Sequence, residues 1–144
     1  MNQISRSILG LDIGSKRIGI AKAFWPDGLP SPLTTLANDG NFLANLQHII
    51  QTENVKILVV GRPRGLDSKD TQQTKYTSSF VQEFNKSLKL PIYWIDEAVT
   101  SIQAENELRL SKKAYSVEDI DSLSATYILE DFMNSQSGEI NVEN

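Results

Sequence analysis

Residues 8–21 read Ile-Leu-Gly-Leu-Asp-Ile-Gly-Ser-Lys-Arg-Ile-Gly-Ile-Ala. Two apolar runs flank a short polar segment in which Gly14, Ser15 and Lys16 can reverse the chain, which predicts a β-hairpin over about 6–13 and 17–24. The first run alternates too little for a half-exposed strand, so we expect it to be covered on both faces. A carboxylate on such a strand is unfavourable unless it is paired or binds a cation. Asp12 is therefore the first candidate functional residue.

Composition limits the class of protein. The chain has 144 residues, of which 40% are hydrophobic and 22% charged, as expected for one globular domain with its own core. The absence of cysteine excludes disulfides and thiolate metal sites. No apolar run reaches the roughly 18 residues of a membrane span, and the N-terminus lacks the order of a signal peptide. We expect a cytoplasmic protein without a membrane partner.

Charge is distributed unevenly along the chain. Residues 1–113 contain all 14 Lys and Arg together with 11 acids, whereas residues 114–144 contain seven acids and no Lys or Arg. The formal net charge is −4, which disfavours strong nonspecific affinity for nucleic acid. A nucleic-acid partner must therefore be held at a defined local site.

The remaining periodicity predicts an α/β fold in the order β-β-β-α-β-α-β-α-α. Short connections make the first three strands antiparallel, and right-handed β-α-β crossovers then add parallel strands, giving a mixed five-stranded sheet with helices on both faces. We expect a single domain over 1–134 and a disordered polar tail over 135–144. The later strands are predicted at 31–37, 55–60 and 91–95, and the helices end near residues 53, 88, 110 and 133.

Polar residues before the helices predict their N-terminal caps. Asn38 and Asp39 precede the first helix, and Asp70 with Gln73 has the spacing of a capping box for the second. Thr100 opens the third helix in the same way. Residues 61–69, between the second buried strand and its helix, are predicted to form a loop.

Three acids are predicted to meet at one edge of the sheet. Asp12 and Glu97 follow buried-type strands, and sites in open sheets form beyond the carboxyl ends of parallel strands. Asp121 shares a helical stripe with Ser124 and Ala125, which turns it toward the sheet. Converging carboxylates repel unless metal ions neutralise them, and oxygen ligands without His or Cys select Mg²⁺ or Mn²⁺. Such a cluster suits two-metal phosphoryl chemistry.

Each acid also has a structural interpretation. Asp12 can cap a turn, Glu97 can be a solvated loop acid, and Asp121 can be favoured by the helix dipole. The coincidence of the three favours the functional interpretation. Glu118 is a spare candidate one turn before Asp121, and Asp96 is expected to be structural.

Basic residues near these acids are candidate phosphate contacts, although each can equally be a solvated surface charge. They are Lys16, Arg17, Arg62, Arg64, Lys112 and Lys113.

Four segments resemble the YqgF/RuvX family. They are residues 9–21, Val-Val-Gly-Arg-Pro at 59–63, Asp-Glu-Ala-Val-Thr-Ser at 96–101 and Ile-Asp-Ser-Leu-Ser-Ala at 120–125. The resemblance spans about residues 8–133 and implies an RNase H-like fold. The family is described as Holliday-junction resolvases or pre-16S rRNA processing nucleases. By resemblance, Asp12, Glu97 and Asp121 are catalytic and ligate Mg²⁺ or Mn²⁺. The implied partner is structured RNA such as pre-rRNA, or branched DNA, bound by a monomer or weak dimer.

Two positions depart from the family pattern. The family usually has Arg after its Asp-Glu pair, where this chain has Ala98, and an apolar residue in the glycine-proline loop, where this chain has Arg62. Arg62 or Arg64 is expected to replace the lost phosphate contact.

Other functions remain open at the level of the sequence. A Holliday-junction resolvase and a non-catalytic RNA- or partner-binding protein both fit the same fold. An ATPase or sugar kinase would open on a similar hairpin, but it requires a second phosphate loop and an adenosine site that this chain lacks.

Overall fold

The computed structural model describes residues 5–63, 70–97, 100–111 and 114–135. Within these residues, the predicted order of strands and helices is confirmed. The elements are β1 (Arg6–Ile13), β2 (Arg17–Trp25), β3 (Ser31–Ala37), α1 (Phe42–Glu53), β4 (Val55–Pro63), α2 (Gln72–Leu88), β5 (Ile92–Glu97), α3 (Thr100–Leu110) and α4 (Val117–Ser135).

The strands form one mixed sheet in the order β3-β2-β1-β4-β5. β1 and β2 pair antiparallel, as do β2 and β3, whereas β4 is parallel to both β1 and β5. This confirms the predicted fold class. Because β1, β4 and β5 run in the same direction, their carboxyl ends lie at one edge of the sheet, with Pro63 in register with Glu97.

The sheet is covered on both faces, and β1 alternates between the two cores. Leu9 and Leu11 pack with α1 and α2, whereas Ile8 packs with α4, and all three are fully buried. This confirms that the first strand is buried on both sides. Alternation along β1 also places Asp12 on the face that carries α4, two residues beyond Gly10.

The predicted cap of the first helix is wrong. α1 begins at Phe42 after Asn41, whose side chain makes no cap hydrogen bond. Asn38 instead donates its side-chain amide to the Gly14 carbonyl and to the Tyr76 hydroxyl, each at 2.8 Å. Asp39 Oδ1 accepts a hydrogen bond from the backbone of Asn41 at 2.8 Å. Asn38 thus links the end of β3 to the β1–β2 turn and to α2, while Asp39 stabilises the turn that precedes the helix.

The predicted capping box of the second helix is shifted by one residue. Thr71, and not Asp70, caps α2, because its hydroxyl accepts from the Thr74 N–H while Thr74 accepts from the Thr71 N–H. Gln73 instead donates to the Ile13 carbonyl at 3.3 Å. Thr74 also donates its hydroxyl to the Pro63 carbonyl, which attaches the start of α2 to the end of β4.

Two strands are longer than predicted, and this changes the setting of the candidate residues. β4 continues to Pro63, so Arg62 lies in a strand and not in the predicted loop. β5 includes Asp96 and Glu97. Parallel pairing of the two strands past Gly61 explains the extension.

Several predictions fall outside the described residues. They concern Arg64, Ala98, Lys112, Lys113 and the tail over 136–144, while Ser135 belongs to α4. The division into a single domain over 1–134 and a disordered tail therefore stays a prediction. No helix in the described part of the chain has the length and apolar character needed to cross a membrane.

Candidate active site

Helix α4 lies directly on glycines of three strands. A Cβ at Gly19 of β2 would collide with the carbonyl oxygen of Asp121. A Cβ at Gly10 of β1 would lie 2.6 Å from Leu129 Cγ, and one at Gly61 of β4 would lie 2.5 Å from Ile128 Cδ1. The glycines let the helix approach closely enough for its polar side chains to reach the carboxyl edge of the sheet.

Asp12 sits where this helix crosses the hairpin. It is in register with Gly19, the residue against which the Asp121 backbone packs. The pKa of Asp12 is raised to about 6, mainly by burial, and the negative charge of Asp121 contributes in the same direction. The structure therefore brings Asp12 and Asp121 into one electrostatic environment that disfavours two negative charges.

Glu97 lies at the end of β5, beside α4. Burial raises the pKa of Glu97 to about 8, together with a hydrogen bond to Asp131 and the charges of Asp131, Asp12 and Asp96. Its Oε1 atom is buried without a hydrogen-bond partner among the described residues. Glu97 thus interacts with Asp12 across the sheet edge and with a fourth acid on the helix.

Asp131 is the residue that sequence reasoning missed. It follows Asp121, Ser124 and Ile128 at spacings of three, four and three residues, which is the helical repeat that keeps side chains on one side of α4. That spacing was available in the sequence. The sequence does not show that Asp131 contacts Glu97, because this contact depends on how α4 crosses β5.

Asp121 is held by an arginine. Arg17 Nε donates to Asp121 Oδ2 at 2.6 Å, with side chains 37% and 19% exposed respectively. The hydrogen bond and charge of Asp121 raise the pKa of Arg17, with a smaller contribution from Glu118. Thr35 of β3 donates to the Glu118 carbonyl at 2.6 Å, which fixes the start of the helix. Arg17, predicted as a phosphate contact, therefore lies inside the acidic cluster.

The acids of this cluster offer only oxygen donors, the type that a hard divalent metal ion prefers. Within the described ranges, no three His, Asp or Glu side chains are arranged to hold one ion. The chemistry nevertheless fits, because the acids disfavour each other's ionisation and the buried Glu97 Oε1 and Ser124 Oγ have no hydrogen-bond partner in the described part. Arg17 supplies the positive charge at Asp121 that a cation would otherwise supply.

The other predicted residues of the described segments lie at the periphery of this cluster or on the opposite face of the sheet. Lys16 is exposed in the β1–β2 turn. Asp96 is exposed, and alternation turns it away from the face that Glu97 shares with α4. Arg62 is on the opposite face of the sheet, with its guanidinium carbon 4.6 Å from the centroid of the Trp94 ring.

Curated relatives match this chain over most of its length. The curated relatives named provisionally as pre-16S rRNA nucleases include one from Crocosphaera subtropica, 33% identical over 138 residues, covering 93% of this chain and 96% of that protein. Another, from Sulfurihydrogenibium sp., is 36% identical over 133 residues and covers 90% of this chain and 91% of that protein.

Solved structures show the same fold at low sequence identity. Thermus thermophilus RuvC superposes with a TM-score of 0.53 at 11% identity, covering 90% of this chain and 97% of that one. The same protein in complex with a Holliday junction substrate gives a TM-score of 0.55, with equal identity and coverage. The expected RNase H-like fold is confirmed.

A family profile matches almost the whole described fold. The RuvX profile, described as Holliday junction resolvase, covers residues 6–135, from the first residue of β1 to the last residue of α4. The resemblance of the four sequence segments is thereby confirmed, and the chain belongs to the RuvX family.

Proposed function

We propose that this protein is a divalent-metal-dependent nuclease that hydrolyses phosphodiester bonds in the cytoplasm, with pre-16S rRNA as its substrate. One observation carries the proposal: Asp12, Glu97 and Asp121 come from a strand end, a second strand end and α4, and the charge of Asp121 acts on Asp12 while that of Asp12 acts on Glu97. The names of the curated relatives support the choice of RNA.

Asp12, Glu97 and Asp121 are the residues that would hold Mg²⁺ or Mn²⁺. When bound, the metal supplies an activated water and neutralises charge on the scissile phosphate. The fold desolvates Asp12 and Glu97 and places other acids near them, and both effects disfavour their ionised forms. A bound cation would offset this unfavourable charge.

Two further side chains position the acids. Asp131 orients Glu97 through their shared hydrogen bond. Arg17 fixes Asp121 through Nε and leaves its two terminal nitrogens to contact a substrate phosphate. In this proposal Lys16 adds a phosphate contact from the adjacent turn, as do Arg64, Lys112 and Lys113 from their segments.

The test is cleavage of a precursor rRNA end fragment with Mg²⁺, with Mn²⁺ and with EDTA. The wild type is compared with Asp12→Asn, and with Asp27→Asn, which removes the same charge from an exposed loop position. We expect metal-dependent cutting that falls by at least about a hundredfold in Asp12→Asn, with RNA binding retained. Equal cutting by wild type and Asp12→Asn contradicts the proposed site.

Cleavage of branched DNA is the second candidate, because the matching family profile is described as Holliday junction resolvase. A synthetic four-way junction in the same assay separates the two substrates. Symmetric resolution requires two active sites, so light scattering of the protein with the junction accompanies the assay and tests for a dimer. If neither substrate is cut while both are bound, the protein is a non-catalytic RNA-binding member, and restoring Arg at Ala98 is the next experiment.

A further inference from the structure

A polar cavity lies on the face of the sheet opposite α4, between β5 and α2. Its volume is about 430 Å³, and its lining includes Arg62, Ser78, Gln82, Asn85, Lys86 and Trp94. The acids of the candidate active site face α4, so this cavity is a separate feature of the fold. It nevertheless lies at the same edge of the sheet, because Arg62 is in register with Asp96, the neighbour of Glu97.

The Arg62 guanidinium is positioned by an aromatic ring, but one of its polar atoms has no hydrogen-bond partner among the described residues. Its guanidinium carbon lies 4.6 Å from the centroid of the Trp94 ring, within the range of a cation–π interaction. Its Nε atom is buried and has no hydrogen-bond partner among the described residues. Arg62 also forms no ion pair with a carboxylate of the described segments. A guanidinium packed on an aromatic ring, with a buried Nε that has no partner in the described part of the chain, is suited to receive an anion.

A second cation borders the cavity. Lys86 pairs with Glu83 at 3.0 Å, but the two side chains are 72% and 75% exposed, so the pair is weak and Lys86 can exchange its partner for an anion. Asn85 is committed to the backbone of Leu90 through both its amide nitrogen and its oxygen. The cavity therefore offers two cations around a fixed aromatic wall.

We propose that Arg62, stacked on Trp94 and assisted by Lys86, binds a backbone phosphate of the substrate strand a short distance from the scissile bond. This inference rests on the proposed function for the choice of RNA. A strand that leaves Glu97 over the end of β5 passes from the α4 face to the α2 face, where Arg62 lies at the next register position of β4. Phosphate contacts of this kind fix the register of a nucleic-acid strand without reading its sequence.

The test measures binding of a short fluorescein-labelled single-stranded RNA by anisotropy in EDTA, so that no cleavage occurs. The variants are Arg62→Gln and Arg62→Leu, with Lys75→Gln as the matched control, since Lys75 is an exposed cation of α2 outside the cavity lining. We expect both Arg62 variants to raise the Kd about tenfold and to lower the salt dependence by about one phosphate contact. Lys75→Gln should bind like the wild type. Thermal unfolding checks that each variant is folded.

Trp94→Leu provides an independent arm, because it removes the ring that holds the guanidinium while leaving its charge. We expect Trp94→Leu to raise the Kd for the RNA, as the Arg62 variants do. Equal Kd values and salt slopes for the wild type and both Arg62 variants overturn the proposal, as does an equal loss in Lys75→Gln. Because binding is read without metal, weakened binding in the Arg62 variants together with no cleavage by the wild type would overturn the nuclease proposal and retain Arg62 as an RNA phosphate contact.

Discussion

Asp12 and Glu97 are carboxyl groups whose ionised forms the fold disfavours. Burial is the main cause at both positions, and the neighbouring acids act in the same direction. A fold that served only stability would place apolar residues there, because buried charges without partners are unfavourable. Under the proposed function, a bound cation would offset the unfavourable charge of these converging acids.

Asp131 should matter through its hydrogen bond to Glu97. We expect Asp131→Ala to weaken Mn²⁺ binding and cleavage about tenfold to a hundredfold, as for other groups that orient metal ligands. Asp131→Asn should recover part of the loss, since its amide can still hydrogen-bond Glu97. Isothermal titration with Mn²⁺ reports binding independently of activity.

The control for Asp131 is Glu130→Gln, which removes one negative charge from the adjacent exposed position. If Asp131→Ala and Glu130→Gln reduce Mn²⁺ affinity equally, the effect comes from the overall charge of α4 and not from the hydrogen bond to Glu97.

Arg17 should compete with metal for Asp121. Replacing it in Arg17→Gln removes the ion pair at 2.6 Å, so we expect tighter Mn²⁺ binding but weaker RNA binding. Titration calorimetry and anisotropy measure the two effects separately. The interpretation fails if both affinities fall, since Arg17 would then serve only to hold Asp121 in place.

At the scale of elements, the site depends on the close approach of α4 to the glycines of β1, β2 and β4. The main contact involves the backbone of Asp121 on Gly19, so that this proposed metal ligand is positioned by main-chain packing. The position of α4 therefore requires small residues on the strands where the helix crosses them.

Gly19→Ala should therefore displace the start of α4. The new methyl group meets the Asp121 carbonyl oxygen, and we expect a loss of about 1–3 kcal/mol in the free energy of unfolding together with reduced cleavage. Gly40→Ala is the control, because a Cβ there has nothing within 4 Å. Denaturant unfolding gives the comparison, and equal stability of the two variants would show that the helix accommodates the methyl group.

At the scale of the whole molecule, the raised pKa values couple stability to pH. The pKa of Asp12 rises from 3.8 to about 6 and that of Glu97 from 4.5 to about 8 on folding. Between the unfolded and folded values, the native state binds more protons than the unfolded state, so stability falls as pH increases. The direction is opposite to that of a carboxylate stabilised by a salt bridge.

We therefore expect the melting temperature in EDTA to decrease between pH 5 and pH 8, a range that lies between the lowest unfolded and the highest folded pKa value. Asp12→Asn should flatten this decrease and be more stable than the wild type at pH 8 without metal. Mg²⁺ should raise the melting temperature more at pH 8 than at pH 5, because metal binding displaces protons. Identical pH slopes for the wild type and Asp12→Asn would contradict the assigned pKa of Asp12.

Local sequence patterns were sufficient to predict the elements and their order. Apolar periodicity predicted each strand and helix, and short connections between the first strands predicted the antiparallel meander. Parallel topology then placed Asp12 and Glu97 at one edge, because the direction of a strand fixes where its last residue lies. The helical stripe around Asp121 was also readable, since it is a property of one element.

Contacts between side chains of different elements, in contrast, depend on how the elements pack. Arg17 and Asp121 are 104 residues apart, and their pairing follows from the contact of α4 with Gly19. The pairing of Asp131 with Glu97, and the stacking of Arg62 on Trp94, likewise depend on the crossing of a helix and the register of two strands. Local periodicity tells which face a residue occupies, whereas distances of a few ångströms between elements are set by packing of the whole core.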